Sequence, residues 1–183
     1  MKITVGKGSC GIAAGAARIY DLLADSLPDV SVTGCIGMCY LEPIVNVIDG
    51  GQINTFVKVD DTAAAEIIKY ARGEENNAQA YIIPCEDAEN LHAQHRIALQ
   101  NCGIINPESI DEYLACEGYA AAKKCITEFA PEQVIAEVKA SGLGGRGGAG
   151  FPTWFKWQAA RDSKGDIKYM ICNADEEIGR AHV

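Results

Sequence analysis

The 183-residue sequence predicts an α/β protein in two unequal parts, and three observations carry that expectation. Across residues 1–72, short apolar runs alternate with helical patterns in the order strand, helix, three strands, helix, which suits a small α/β layer fold of thioredoxin type. A polar stretch over residues 73–79 marks a boundary, and a largely helical segment follows it. Six of the nine residues in 142–150 are glycine, with Arg146 among them, and this run opens a second α/β unit.

Taken in order, residues 2–5 alternate as a strand, and Ile12, Ala16, Ile19, Leu22 and Leu23 fall at helical spacing over 11–27. Residues 30–33 read as a second strand. The runs 44–48 and 53–57 flank Asp49-Gly50-Gly51, a hairpin turn signal. Asp61 or Thr62 caps a helix that ends at Gly73. After a linker over 73–90, residues 91–102 read as a helix, and Ser109 and Glu112 are spaced as a capping box for the next. Pro131 sits as a first helical residue, Val134, Ile135 and Val138 make one apolar stripe, and Gly142 stops that helix. These helices are expected to pack as a small cap.

Glycine costs about 0.5–1 kcal/mol relative to alanine in a regular element, so a string of glycines implies positive φ or close approach to a ligand. Gly145-Arg-Gly147-Gly-Ala-Gly150 satisfies G-x-G-x-x-G, yet a dinucleotide loop must follow a strand and the preceding residues are helical. Pro152 stands at the first turn of a helix running to about residue 162, whose free N–H groups can meet an anion. Arg146 and Lys156 add positive charge there, a setting that suits the phosphate and ring of a flavin. Residues 167–172 read as an apolar strand ending in Asn173-Ala-Asp175-Glu176, with polar groups at the carboxyl end where α/β sheets place ligand contacts.

A net charge of −9 disfavours a nucleic-acid or anionic-membrane surface. No run of about 18 apolar residues exists, and MKITVGKGSC lacks the apolar region of a secretory signal, so the expected location is cytoplasmic, at most peripheral to a membrane complex. Eight cysteines in a reducing compartment point to burial or to metal and cluster ligation rather than disulfides. Cys10, Cys35 and Cys39 fall in loops that can converge at one end of the sheet. The spacing of Cys85, His92, His95 and Cys102 matches no usual zinc module, and Cys116 and Cys125 read as core fillers.

Cys10-Gly-Ile-Ala-Ala-Gly-Ala, followed by Thr33-Gly-Cys-Ile-Gly-Met-Cys-Tyr-Leu-Glu-Pro43, resembles the thioredoxin-like [2Fe-2S] ferredoxins, which use C-x4-C and C-x3-C pairs. Here Val5 stands where that resemblance implies a fourth cysteine. Either the fourth ligand of a cluster on Cys10, Cys35 and Cys39 comes from elsewhere, or the domain is a non-catalytic docking module. Residues 96–103, 110–113, 141–153, Lys156-Trp157 and 172–176 resemble the NADH-binding flavoprotein subunit of complex I and the diaphorase subunits of NAD(P)-linked hydrogenases and formate dehydrogenases.

That resemblance implies an oxidoreductase carrying hydride from NAD(P)H to FMN and electrons on to iron–sulfur subunits of such a complex. Gly145, Arg146, Gly147, Lys156, Asn173, Asp175 and Glu176 would line FMN, and Phe151 would stack on nicotinamide or adenine. The family reads Thr-Gly-Leu-Lys-Trp where this chain has Thr153-Trp154-Phe155-Lys156-Trp157. It continues into the rest of the flavin domain and a [4Fe-4S] helical domain. Residues 177–183 instead match what a common short-read sequencing adapter encodes in one frame. They are read as adapter read-through, residues 91–176 as the start of the FMN and NADH domain, and the chain as an N-terminal fragment.

Overall fold

The computed structural model describes residues 1–97, 99–169 and 171. Two compact units divide the chain, the first running through Cys116 and the second beginning at Glu117.

Four strands, β1 (Lys2–Gly6), β2 (Val30–Thr33), β3 (Val45–Asp49) and β4 (Gln52–Phe56), form a mixed sheet in the order β2-β1-β3-β4. β1 runs parallel to β2, with Ile3 opposite Val30, and antiparallel to β3, with Val5 opposite Val45. The thioredoxin-type order expected from the sequence is therefore the one formed. Asp49 pairs with Gln52 across Gly50 and Gly51, both at positive φ, so the turn has the two-residue twist that suits a hairpin.

Against one sheet face lie α1 (Ser9–Ala13), α2 (Ala16–Ser26) and α3 (Asp61–Arg72), and Ile3, Val5, Val45 and Val47 pack there with Ile19, Leu23, Phe56 and Ile67. The single helix expected over 11–27 is two, because Gly15 takes φ 101° and a left-handed residue cannot continue a right-handed helix. Asp60 caps α3 by accepting from the Ala63 N–H at 2.8 Å, and Gly73 closes it at φ 71°.

The opposite face is polar at its centre, where Thr4, Thr33 and Asn46 are buried. Near it lies the largest departure from the expected elements. The helix expected over 91–102 is replaced by α4 (Cys85–Ala93) and an irregular run from residue 99 to 105. Gly103 O accepts from Thr4 Oγ1 at 3.5 Å and Asn46 Nδ2 at 3.3 Å, while Ile105 O accepts from Thr33 Oγ1 at 2.9 Å. Both acceptors lie just past the expected helix, in the irregular run whose carbonyls no helical ladder takes. Residues 91–116 thus pack on the first unit. α5 (Ile110–Ala115) follows, capped by Ser109, whose Oγ accepts from the Glu112 N–H. The Glu112 carboxylate does not close the expected box; it accepts instead from the Asn106 N–H at 3.0 Å and from Lys2 at 3.1 Å. Cys116, expected in a core, is exposed at the C-terminal end of α5, where it caps the helix.

The second unit holds α6 (Ala120–Thr127), α7 (Pro131–Ala140) and α8 (Thr153–Asp162). Gln133 accepts from the Ala130 N–H and Pro131 opens α7, as the sequence leads one to expect. Residues 167–169 form no strand: they pair with nothing among the described residues, and Ile167 and Tyr169 are exposed, so neither ladder nor burial holds them extended. No helix among the described residues is long and apolar enough to cross a membrane.

Candidate functional site

In the second unit, α7 feeds the glycine run and α8 leaves it. Gly145 N–H donates to Phe151 O at 2.7 Å, Thr153 N–H donates to Leu143 O at 3.0 Å, and Gly144 bridges Pro152. The run is therefore a closed hairpin with residues 146–150 at its tip. Gly142, Gly148 and Gly150 take φ of 68°, 98° and 62°, the conformations that make glycine necessary there. A β-carbon at Gly144 would stand 3.0 Å from Gly150 O, so the two arms touch backbone to backbone.

Lys156, one turn into α8, reaches back over this hairpin. Its Nζ lies 5.7 Å from the Phe151 ring centre and 3.4 Å from where a β-carbon of Gly145 would sit. Phe151 also meets Phe155 edge to face at 5.7 Å. The structure brings Gly145, Phe151 and Lys156 together and leaves Arg146 and Gly147 exposed at the loop tip; Asn173, Asp175 and Glu176 lie outside the described residues. Trp154, where the resemblance leads one to expect glycine, lies under Lys139 of α7 at 4.4 Å and edge-on to Phe155, so the departure serves the α7–α8 contact. A side-chain-free loop with two cations at a helix start fits a phosphate-bearing group.

In the first unit, the Sγ atoms of Cys10, Cys35 and Cys39 lie within 4.8 Å of one another. Cys10 sits in α1 rather than in a loop, Cys35 is buried after β2, and Cys39 starts a 3-10 turn over Cys39–Leu41. Cys35 and Cys39 Sγ are 3.7 Å apart, and the Gly37 N–H points at Cys35 Sγ at 3.3 Å. Beside them Glu42 is buried, accepting from the Ile44 N–H at 2.8 Å and from the Cys10 thiol at 3.9 Å. Burial pushes the Glu42 carboxyl up to about 7, against the lowering pull of those two hydrogen bonds. Burial likewise raises the Cys35 and Cys10 thiols above their ordinary value.

Three glycines make this pocket possible. A β-carbon at Gly8 would stand 3.1 Å from Cys35 Cβ, at Gly6 3.2 Å from the Glu42 carboxylate oxygens, and at Gly11 2.2 Å from Gly6 O. Gly6, Gly8 and Gly11 follow β1 with G-x-G-x-x-G spacing, a signal that sequence reasoning passed over. Glu42 was missed with them, since a glutamate before a proline carries no ligand signature.

A four-thiolate two-iron cluster lacks its fourth ligand here. Val5 points into the sheet core with no exposure, and the described residues bring together three thiolates where such a cluster takes four. Among the described residues this trio is the one His, Cys, Asp or Glu group whose ligand atoms converge; Cys85, His92, His95 and Cys102 do not meet.

Residues 138–180, a segment that begins in α7 and takes in the glycine run, match the Nuo51 FMN-binding domain. The match extends four residues into the segment 177–183. The chain is 58% identical over 83 residues to the NADP-reducing hydrogenase subunit HndC of Solidesulfovibrio fructosivorans, covering 45% of this chain and 17% of that protein. It is 45% identical over 71 residues to an NADH-quinone oxidoreductase subunit of Escherichia coli strain K12, covering 38% of this chain and 16% of the relative. The chain thus spans about a sixth of the length of these curated relatives, which their names identify as oxidoreductase subunits. An NAD+-reducing [NiFe]-hydrogenase structure aligns with 88% of this chain and 28% of its own at 20% identity and a TM-score of 0.32, which leaves the fold to be read from the sheet itself.

Proposed function

We propose that this chain supplies the first part of an NAD(P)H-oxidising flavoprotein that passes hydride to FMN and electrons on to iron–sulfur partner subunits of a cytoplasmic hydrogenase, formate dehydrogenase or NADH dehydrogenase complex. The observation that carries the reading is the glycine hairpin between α7 and α8, with Arg146 and Lys156 beside it, inside the matched segment 138–180. Flavin supplies the hydride and one-electron chemistry when bound; the protein supplies position and charge.

In this reading Arg146, Lys156 and the backbone of Gly145 and Gly147 hold the phosphate and favour the anionic reduced ring, because cations and unshielded N–H groups offset developing negative charge. Asn173, Asp175 and Glu176 fix the ring edge and ribityl hydroxyls. Phe151, exposed on the loop, offers its face to the nicotinamide or adenine. No side chain needs to act as a general base. By the same reading residues 91–176 belong to the flavin domain, and the chain alone completes too little of the pocket to hold FMN.

The test is a graft. Residues 138–176 replace the matched segment of the full-length Escherichia coli relative, and bound flavin and NADH-dependent ferricyanide reduction are measured. Retained flavin and activity are expected, with both reduced in the Arg146→Ala graft. A graft that folds with normal circular dichroism yet holds no flavin overturns the proposal.

A further inference from the structure

We infer that Cys10, Cys35 and Cys39, with Glu42, form a mononuclear tetrahedral site for one thiophilic divalent metal ion of the zinc class. This goes beyond the flavin reading and does not depend on it. The sulfur spacing carries the inference. With metal–sulfur bonds of about 2.3 Å, two ligands of a regular tetrahedron stand about 3.8 Å apart. Cys35 and Cys39 are 3.7 Å apart, and Cys10 completes a triangle of thiols within 4.8 Å. Three sulfurs so gathered lie within reach of one ion.

The carboxylate of Glu42 stands beside Cys10, outside the set of mutually close sulfurs, and would reach the fourth vertex by turning toward the ion. Glu42 is a buried carboxylate whose Oε1 lies 3.9 Å from Cys10 Sγ, while its other oxygen is anchored by the Ile44 N–H at 2.8 Å. No basic side chain bonds this buried carboxyl among the described residues, so a metal ion there would meet no competing cation. Gly6, Gly8 and Gly11 lie directly against Glu42 and Cys35, each at a position where a side chain would press on Glu42, Cys35 or the neighbouring backbone. The Gly37 N–H at Cys35 Sγ and the Ile44 N–H at Glu42 are the outer-shell donors that orient ligands and spread their charge.

Binding leaves all oxidation states unchanged. Three S–H protons pass to solvent as three metal–sulfur bonds form, the Cys10 hydrogen bond to Glu42 disappears with its proton, and a carboxylate oxygen takes the fourth position as the ion sheds its water. A set of three thiolates and one carboxylate on a tetrahedral ion selects zinc over hard cations, which prefer oxygen ligands alone.

The test uses the whole 183-residue chain, purified without oxygen, with zinc, iron and acid-labile sulfide measured together. One zinc and no sulfide per chain are expected. After zinc removal, one equivalent of Co(II) should give tetrahedral visible bands with sulfur-to-cobalt charge transfer, and X-ray absorption on the zinc form should show three sulfur neighbours and one oxygen. Cys39→Ser should abolish the cobalt spectrum and Cys85→Ser leave it unchanged. Glu42→Gln should weaken cobalt binding by more than about a hundredfold, beyond the roughly 10–100-fold loss that follows removal of an outer-shell partner. If Glu42→Gln does not fold, the count of sulfur and oxygen neighbours decides its part. Two irons with two sulfides per chain overturn the inference, as does a reduced chain that binds no cobalt, or cobalt binding that survives Cys39→Ser.

Discussion

Gly11 shows how much of this molecule rests on single positions. An alanine there would set its β-carbon 2.2 Å from Gly6 O, a backbone atom at the end of β1 that cannot move without the sheet. Gly11→Ala is expected to destabilise the first unit by about 2 kcal/mol or more, read as a fall in the urea midpoint followed by far-ultraviolet circular dichroism. The same alanine at Gly51 meets no neighbour, but its φ of 86° makes it costly through the backbone instead. Glycines therefore act in two ways here, one steric and one conformational. Only the conformational use leaves a clear trace in sequence, through turn pairs such as Gly50-Gly51; the steric use depends on which atoms arrive from Glu42 and Cys35.

At the level of elements, caps decide where helices begin, and for α3 the sequence reading, which offered Asp61 or Thr62, fell one or two residues past the cap that forms, Asp60. Asp60 caps α3 through the Ala63 N–H, so Asp60→Ala should cost about 1 kcal/mol, checked by thermal unfolding of the first unit against Asp61→Ala as a control outside the capping hydrogen bond. The pairing of α7 with α8 was not legible. Trp154 stands where the flavoprotein resemblance has glycine, and its ring carries Lys139 at 4.4 Å and meets Phe155 at 5.7 Å. Trp154→Ala is expected to cost at least about 1 kcal/mol, more than Lys139→Ala, since the second change removes the cation–π contact and keeps the ring packing. Hydrogen exchange of the α8 amides measures both. The helix expected over 91–102 gives way to α4 and an irregular run, and just past it Gly103 O and Ile105 O serve three buried polar groups on the sheet.

Across the first unit, one ion pair ties the chain's second residue to its 112th. Glu112 takes the Asn106 N–H and the Lys2 ammonium, and these hold its carboxyl below the ordinary value, the Asn106 bond contributing most. A carboxylate depressed in the folded state adds stability that is complete above its unfolded pKa, about 4.3, and is lost as pH falls through the folded value. Acid should therefore loosen β1 and α5 together below about pH 4.3, seen as faster amide exchange in both, and Glu112→Gln should flatten that dependence. Local periodicity and backbone chemistry were enough to establish the α/β class, the strands and hairpin glycines of the sheet, the helix that approaches the glycine run, and the three cysteines. The packing of residues 91–116 on the first unit, the arrival of Glu42 beside the thiols, and a sulfur spacing close enough for a single ion emerged with the assembled fold, because each depends on distances between segments that periodicity cannot encode.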